Sequence, residues 1–244
     1  MKVIASSPAF QPLYRQIKEL ITQSLVSGEW GPGEPIPSEL ELASRYSVSH
    51  GTVRKAISDL ADAKLLVRQQ GRGTFVASHA EERSKFPFFR IAPDQASVDS
   101  LSARLLECRR EPLDAVSAQQ LQRPLNSQGF LVRRVLEIAG TPVVCEEIRL
   151  PAGPFRGLTN SVIDKYHCML YSMYEGAYGI RILHVEEGLK AVGAGPREAS
   201  QLRLREGDPV LLLNRVSFTY EEKPIEVRRS VCNTRDHHYR NRIV

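Results

Sequence analysis

Ile36-Pro37-Ser38-Glu39-Leu40-Glu41-Leu42-Ala43-Ser44-Arg45-Tyr46-Ser47-Val48-Ser49-His50-Gly51-Thr52-Val53-Arg54-Lys55-Ala56 decides the fold of the N-terminal third of this 244-residue chain. Ser38 to Glu41 reads as a capping box, in which the serine hydroxyl accepts from the backbone of Glu41 and the Glu41 carboxylate reaches back to Ser38. A short helix follows, with Leu40 and Ala43 expected to face inward and Leu42 as a further candidate. Tyr46 to Ser49 breaks it, and Ser47 or Ser49 can cap a second helix over about 50–63. Val53, Ile57 and Leu60 give that helix an inner face. His50, Thr52, Arg54 and Lys55 stand on its outer face near the start. Short helix, tight turn and a second helix that opens on polar residues form the helix-turn-helix pattern, whose second helix enters the DNA major groove.

The flanks agree with that reading. Leu13, Ile17, Leu20, Ile21 and Leu25 recur at helical spacing and predict a helix over 12–27, ended by Gly28. Pro32, Pro35 and Pro37 keep the next stretch extended. After the second helix come Leu65 to Gln70, the turn Gly71-Arg72-Gly73 and Thr74-Phe75-Val76, which predict a hairpin with Arg72 at its tip. Such a wing can touch phosphates or the minor groove.

Pro12-Leu13-Tyr14, Ile36-Pro37-Ser38-Glu39, Leu42-Ala43, Val48-Ser49, Thr52-Val53-Arg54-Lys55-Ala56, Leu60 and Gly71 to Val76 resemble the winged helix-turn-helix of GntR-family transcription regulators. The resemblance implies a DNA-binding domain over 1–77, with Ser38, Glu39, Ser49, His50, Thr52, Arg54, Lys55, Arg68, Arg72 and Gly73 as its DNA-contacting residues. Leu40 and His50 stand where the family usually places arginines that contact DNA, so the operator is expected to depart from the family's. A winged helix used only for protein contacts is the plainer alternative.

Composition bounds the rest. A hydrophobic fraction of 42% and a charged fraction of 25% are those of a globular protein with a real core. No apolar run approaches the ~18 residues needed to span a bilayer, and the N-terminus lacks a secretory pattern, so the expected location is the cytoplasm. The net charge of +5 divides into +2 over residues 1–77 and +3 over the remainder, so bulk charge is weak testimony for nucleic acid. Cys108, Cys145, Cys168 and Cys232 are scattered, which argues against both a disulfide framework and a cysteine zinc site. His237-His238 point to opposite faces if they lie on a strand, so no metal site is expected there. No cofactor is expected either.

Polar residues over 78–89 read as a linker. Beyond them, strands are expected over 102–110, 129–138, 143–150, 182–191, 210–220 and 225–232, with helices over 115–121, 169–178 and 197–204. Hairpins joined by short turns predict an α+β domain: an antiparallel sheet with helices on one side. Arg133-Arg134 to Pro142, Glu146, Leu150-Pro151, Leu170-Tyr171, Tyr178 to Arg181, Glu186-Glu187, Gly207 to Leu211, Lys223 to Glu226, and Asp236 with Tyr239 resemble the UTRA effector domain of the HutC-like branch of that family. This implies a chorismate-lyase-like fold over 90–244 that binds a small metabolite and signals to the DNA-binding domains of a homodimer, typically a repressor on an inverted-repeat operator. Carried over by position, Arg134, Glu146, Met169, Tyr171, Glu226 and Cys232 are the effector-binding candidates. Arg134 and Glu146 could equally form an ion pair across one hairpin, Tyr171 could be a core residue, and Cys232 a small buried hydrophobe. Leu136 and Met169 replace a pocket arginine and a serine, which disfavours a phosphosugar effector. Two rivals remain: an enzyme acting on a small organic acid through the lyase-like fold, for which no catalytic motif is present, and an all-helical metal-binding effector domain, which the strand-and-turn pattern opposes.

Overall fold

The computed structural model describes residues 11–78, 88–95 and 101–241, so most of the expected linker lies outside the described residues. The chain divides into two compact units, Met1–Ser78 and His79–Val244.

In the first unit, α1 (Leu13–Val26), α2 (Glu39–Arg45) and α3 (His50–Asp62) precede a hairpin of β1 (Leu66–Gln69) and β2 (Gly73–Val76). Both expected caps form. Ser38 Oγ accepts from Glu41 N–H at 3.3 Å while Glu41 Oε2 accepts from Ser38 N–H at 2.8 Å, and Ser49, not Ser47, accepts from Thr52 N–H at 3.2 Å. Gly71 and Gly73 take φ of +71° and +113°, which a residue with a side chain adopts only under strain. Residues 34–36 add to the hairpin as an extra strand, through Val76 N–H to the Glu34 carbonyl (2.8 Å) and Ile36 N–H to the Thr74 carbonyl (2.9 Å). Ile17, Ile21, Leu42, Val53, Ile57, Leu60 and Leu66 make the core.

Three inward assignments are corrected. Leu40 is 70% exposed and Leu42 is fully buried; at ~100° per residue, positions two apart on a helix lie ~200° apart and cannot share one face. Leu13 and Leu20 on α1 are likewise exposed, because the buried stripe there is confined to Ile17, Ile21, Ser24 and Leu25.

The second unit is built on a six-stranded antiparallel sheet of order β4-β5-β6-β9-β8-β7. Its strands are β4 (Leu101–Pro112), β5 (Gln128–Ile138), β6 (Thr141–Pro151), β7 (His184–Gly193), β8 (Pro209–Phe218) and β9 (Pro224–Asn233). A separate two-stranded sheet joins β3 (Ile91–Pro93) to β10 (His237–Tyr239). The helices α4 (Ala115–Gln120), α5 (Asn160–Lys165), α6 (Leu170–Tyr178) and α7 (Pro196–Leu202) complete it.

Helices cover both faces of the sheet, not one. Phe130 and Val132 of β5 and Ile148 and Leu150 of β6 pack with Leu170, Met173 and Tyr174 of α6. The alternate residues of the strands point the other way: Val210 and Val231 pack with Ala199 and Leu202 of α7, and Val227 packs against Ala118 and Leu121 of α4. The two-residue period of a strand makes both faces available, and this sheet has apolar residues on each.

Candidate functional site

Two sites emerge, one in each unit. In the first, the outer surface of α3 lies between two flanks. On one, Glu39 of α2 accepts from Arg68 Nη2 at 3.0 Å and pairs with His50 Nε2 at 2.9 Å. Arg68 Nη2 also reaches the Arg54 carbonyl (3.4 Å) and Ser58 Oγ (3.2 Å). Glu39 and Arg68 therefore fasten α2, α3 and the wing to one another. On the other flank, Lys55 pairs with Asp59 at 2.7 Å, one helical turn on, and lies 5.8 Å over the Tyr14 ring of α1. Arg54 is exposed between the flanks, with no side-chain ion pair among the described residues. Ser38 and Ser49 are occupied as caps, Thr52 Oγ1 lies 2.8 Å from Ser49 Oγ, and Arg72 at the wing tip stands 5.6 Å over the Phe75 ring. The expected cluster of Arg54, Lys55, Arg68 and Arg72 thus separates: Arg54 and Arg72 are presented outward, whereas Arg68 and Lys55 also serve the packing of the unit.

In the second unit a cleft opens on the α6 face of the sheet. It encloses about 500 Å³, open space at its mouth included. Arg134 and Leu136 of β5, Val144 and Glu146 of β6, Leu213 and Arg215 of β8, and Arg228, Ser230 and Cys232 of β9 form its floor. Leu170 and Tyr171 close one side, and Phe89, Arg90 and Ile91 another.

The floor is an ion-pair network. Arg134 and Glu146 are directly opposite in the β5–β6 register, and Arg134 Nε donates to Glu146 Oε2 at 2.6 Å. They are both a cross-strand pair and cleft lining, so the two alternatives are compatible. Arg134 also donates to the Cys168 carbonyl. Arg228 donates to Glu146 Oε1 at 3.1 Å and grips Glu226 with two parallel bonds of 3.0 and 2.8 Å. Glu226 accepts further from Tyr174 (2.6 Å), Tyr171 (3.1 Å) and Ser217 (3.0 Å). It is fully buried and supports the cleft from beneath rather than lining it. Arg215 Nε donates to Glu187 Oε1 at 2.7 Å, and its Nη2 to the Phe88 carbonyl at 2.7 Å. Tyr239 holds the other Glu187 oxygen at 2.7 Å.

Burial opposes charge on these carboxylates, but the arginines outweigh it. Glu146, beside Arg134 and Arg228, is held at about 2, and Glu226 is likewise held low by Arg228. Burial, reinforced by Glu226, pushes the Tyr171 and Tyr174 hydroxyls up, so both remain donors. Burial also raises all four thiols, Cys108 to about 11 and Cys145 to about 12, so none offers a thiolate near neutral pH.

Two sequence expectations change. Met169 precedes α6 and borders a different depression, with Leu101, Ala103, Leu105 and His167, because its position before the helix turns it away from the cleft. The loss of an arginine at Leu136 does not leave the cleft poor in donors, since Arg215 and Arg228 arrive from β8 and β9. Those two, with Ser217, Ser230 and Glu187, were not among the candidates. Their signal is a polar residue at every second position on one strand face, Arg215 and Ser217 of β8 and Glu226, Arg228 and Ser230 of β9. Among the described residues no cluster of His, Cys, Asp or Glu could hold a metal; His238 Nδ1 pairs with Asp94 at 2.8 Å.

Comparison with known proteins gives two family matches, "Bacterial regulatory proteins, gntR family" over residues 13–76 and "UTRA domain" over 97–238. The transcriptional regulator Rv0792c of Mycobacterium tuberculosis is 30% identical, the match covering 88% of this chain and 80% of that protein. The histidine utilization repressor of Pseudomonas aeruginosa is 28% identical over 85% of this chain and 82% of its own. Among solved structures, the ligand-binding domain assigned to a GntR-family regulator of Bordetella bronchiseptica is 34% identical, with a TM-score of 0.62, covering 65% of this chain and 99% of that one.

Proposed function

The chain belongs to the GntR family of bacterial regulatory proteins, with a UTRA domain after its winged helix-turn-helix, and from that membership we propose a homodimeric, metabolite-responsive repressor that binds an inverted-repeat operator. As a member it is a DNA-binding transcriptional regulator and not an enzyme. The units over 1–77 and 90–244 divide the labour as DNA reader and sensor, in the cytoplasm where the DNA is. Arg54 and His50 meet the operator from the first turns of α3, Arg72 from the wing, and Lys55 from the flank of α3.

The observation that carries the sensing half is the cleft with three buried arginines, Arg134, Arg215 and Arg228, under an apolar wall. Buried guanidiniums recognise anionic or carbonyl groups with directed, charge-assisted hydrogen bonds. Their charges are matched by Glu146, Glu226 and Glu187, so the guest is a small polar metabolite that combines an acidic group with hydroxyl or amino donors. A guest that prefers one arrangement of the protein changes operator affinity, by an expected ~1–3 kcal/mol of coupling.

The test is binding of the purified protein to the region upstream of its own gene, with and without metabolites that raise its melting temperature. A sequence-selective shift at moderate salt, lost in Arg54→Ala and altered by the stabilising metabolite, is expected. A shift without sequence preference, or one untouched by Arg54→Ala, overturns the assignment of the reader. Chemical conversion of the metabolite by the purified protein overturns the sensor reading.

A further inference from the structure

Leu40 is one of the two most exposed large hydrophobic residues described, at 70%, and it stands among polar neighbours. Its side chain lies opposite the buried Leu42 on α2, so the core has no use for it. The position is fixed by the residue before it: Glu39 binds His50 at the start of α3 and Arg68 of β1 with its two oxygens, at 2.9 and 3.0 Å. The first turn of α2 is thus held against the first turn of α3, and Leu40 emerges there facing solvent. Both Glu39 oxygens have partners, so the neighbouring group left to present at that point is the isobutyl side chain.

We propose that Leu40 is a specificity-determining residue that selects thymine through its C5-methyl group. The proposal rests on the DNA-reading role of this unit. An isobutyl group can neither donate to a phosphate nor accept from a base amine. The apolar feature on the major-groove edge of a base pair is the thymine methyl, and apolar side chains meet it there. Leu40 adds a base preference that the polar residues of α3 do not supply.

The experiment selects duplexes from a random library with the full chain at moderate salt, then replaces each thymine of the preferred duplex in turn by deoxyuridine, which lacks only the methyl. At one thymine in each half-site the replacement is expected to weaken binding by about fourfold, the worth of one buried carbon group. The Leu40→Ala variant, whose melting temperature should stay unchanged because the side chain is outside the core, is expected to bind the thymine and uracil duplexes alike. If no replacement weakens the wild type, or if Leu40→Ala keeps the same thymine-over-uracil ratio, the role of Leu40 is overturned while the reader stands. If the full chain enriches no sequence at all, the DNA-reading role falls and this proposal with it.

Discussion

Arg228 is the hinge of the cleft's chemistry, since it touches both Glu146 and Glu226. Breaking a buried ion pair by removing one partner strands a charge away from water and typically costs ~3–5 kcal/mol. Arg228→Met should therefore lower the unfolding free energy by that order, read as a lower urea midpoint at unchanged m, far more than Arg72→Ala on the exposed wing tip, and abolish thermal stabilisation by any effector. Acid acts on the same network. The Glu146 carboxyl titrates at about 2 in the folded chain against an ordinary 4.5, so its contribution is complete above ~pH 5 and is lost as pH falls through 4.5 towards 2, on the order of 3 kcal/mol. Denaturation at pH 6 and pH 3 should show about 2 kcal/mol of this loss, and Glu146→Gln should show less of it. At this scale the sequence reading reached Arg134, Glu146 and Tyr171 through resemblance. It missed Arg215 and Arg228 because polar side chains at every second position of a strand, as in Glu226-Arg228-Ser230, look like a solvated face until a helix is seen to cover them.

At the scale of elements, local chemistry was legible and long-range chemistry was not. The two serine caps, the glycine turn of the wing and the inner face of α3 depend on neighbours within a few residues and form as read, whereas the buried stripe of α1 is narrower than its spacing predicts, with Leu13 and Leu20 exposed. Ser49→Ala should destabilise the first unit by ~1 kcal/mol, measured as a lower melting temperature of its transition. The sheet's helices were placed on one face because apolar alternation says that a strand has two faces without saying what covers each. The short α5 and the β3–β10 pair escaped notice, for three-residue strands 144 positions apart leave no periodic trace. Gly129 marks another such constraint: a Cβ there would lie 2.4 Å from Leu113 Cδ2 and 2.7 Å from the Leu150 carbonyl. Gly129→Ala should cost ~1–3 kcal/mol by overpacking, visible as a lowered denaturant midpoint of the second unit.

For the whole molecule, the +5 charge carried little information, and the placement of a few cations carries more. Binding to DNA should weaken linearly in log–log against salt, and removing a phosphate contact by Arg72→Ala should flatten the slope by ~0.9 while sequence preference persists. The same titration on Leu40→Ala should leave the slope intact, since leucine neutralises no phosphate. Phe88, where the described chain resumes after residue 78, gives its carbonyl to Arg215 at 2.7 Å and sets its ring edge-on to Tyr171, 6.0 Å between centroids. The backbone is in this respect a tethered competitor, already seated on a donor that an acidic guest would want. An acidic guest that took Arg215 would displace the residue 88 carbonyl, and by reciprocity whatever loosens residue 88 from Arg215 would raise the guest's affinity by the same factor.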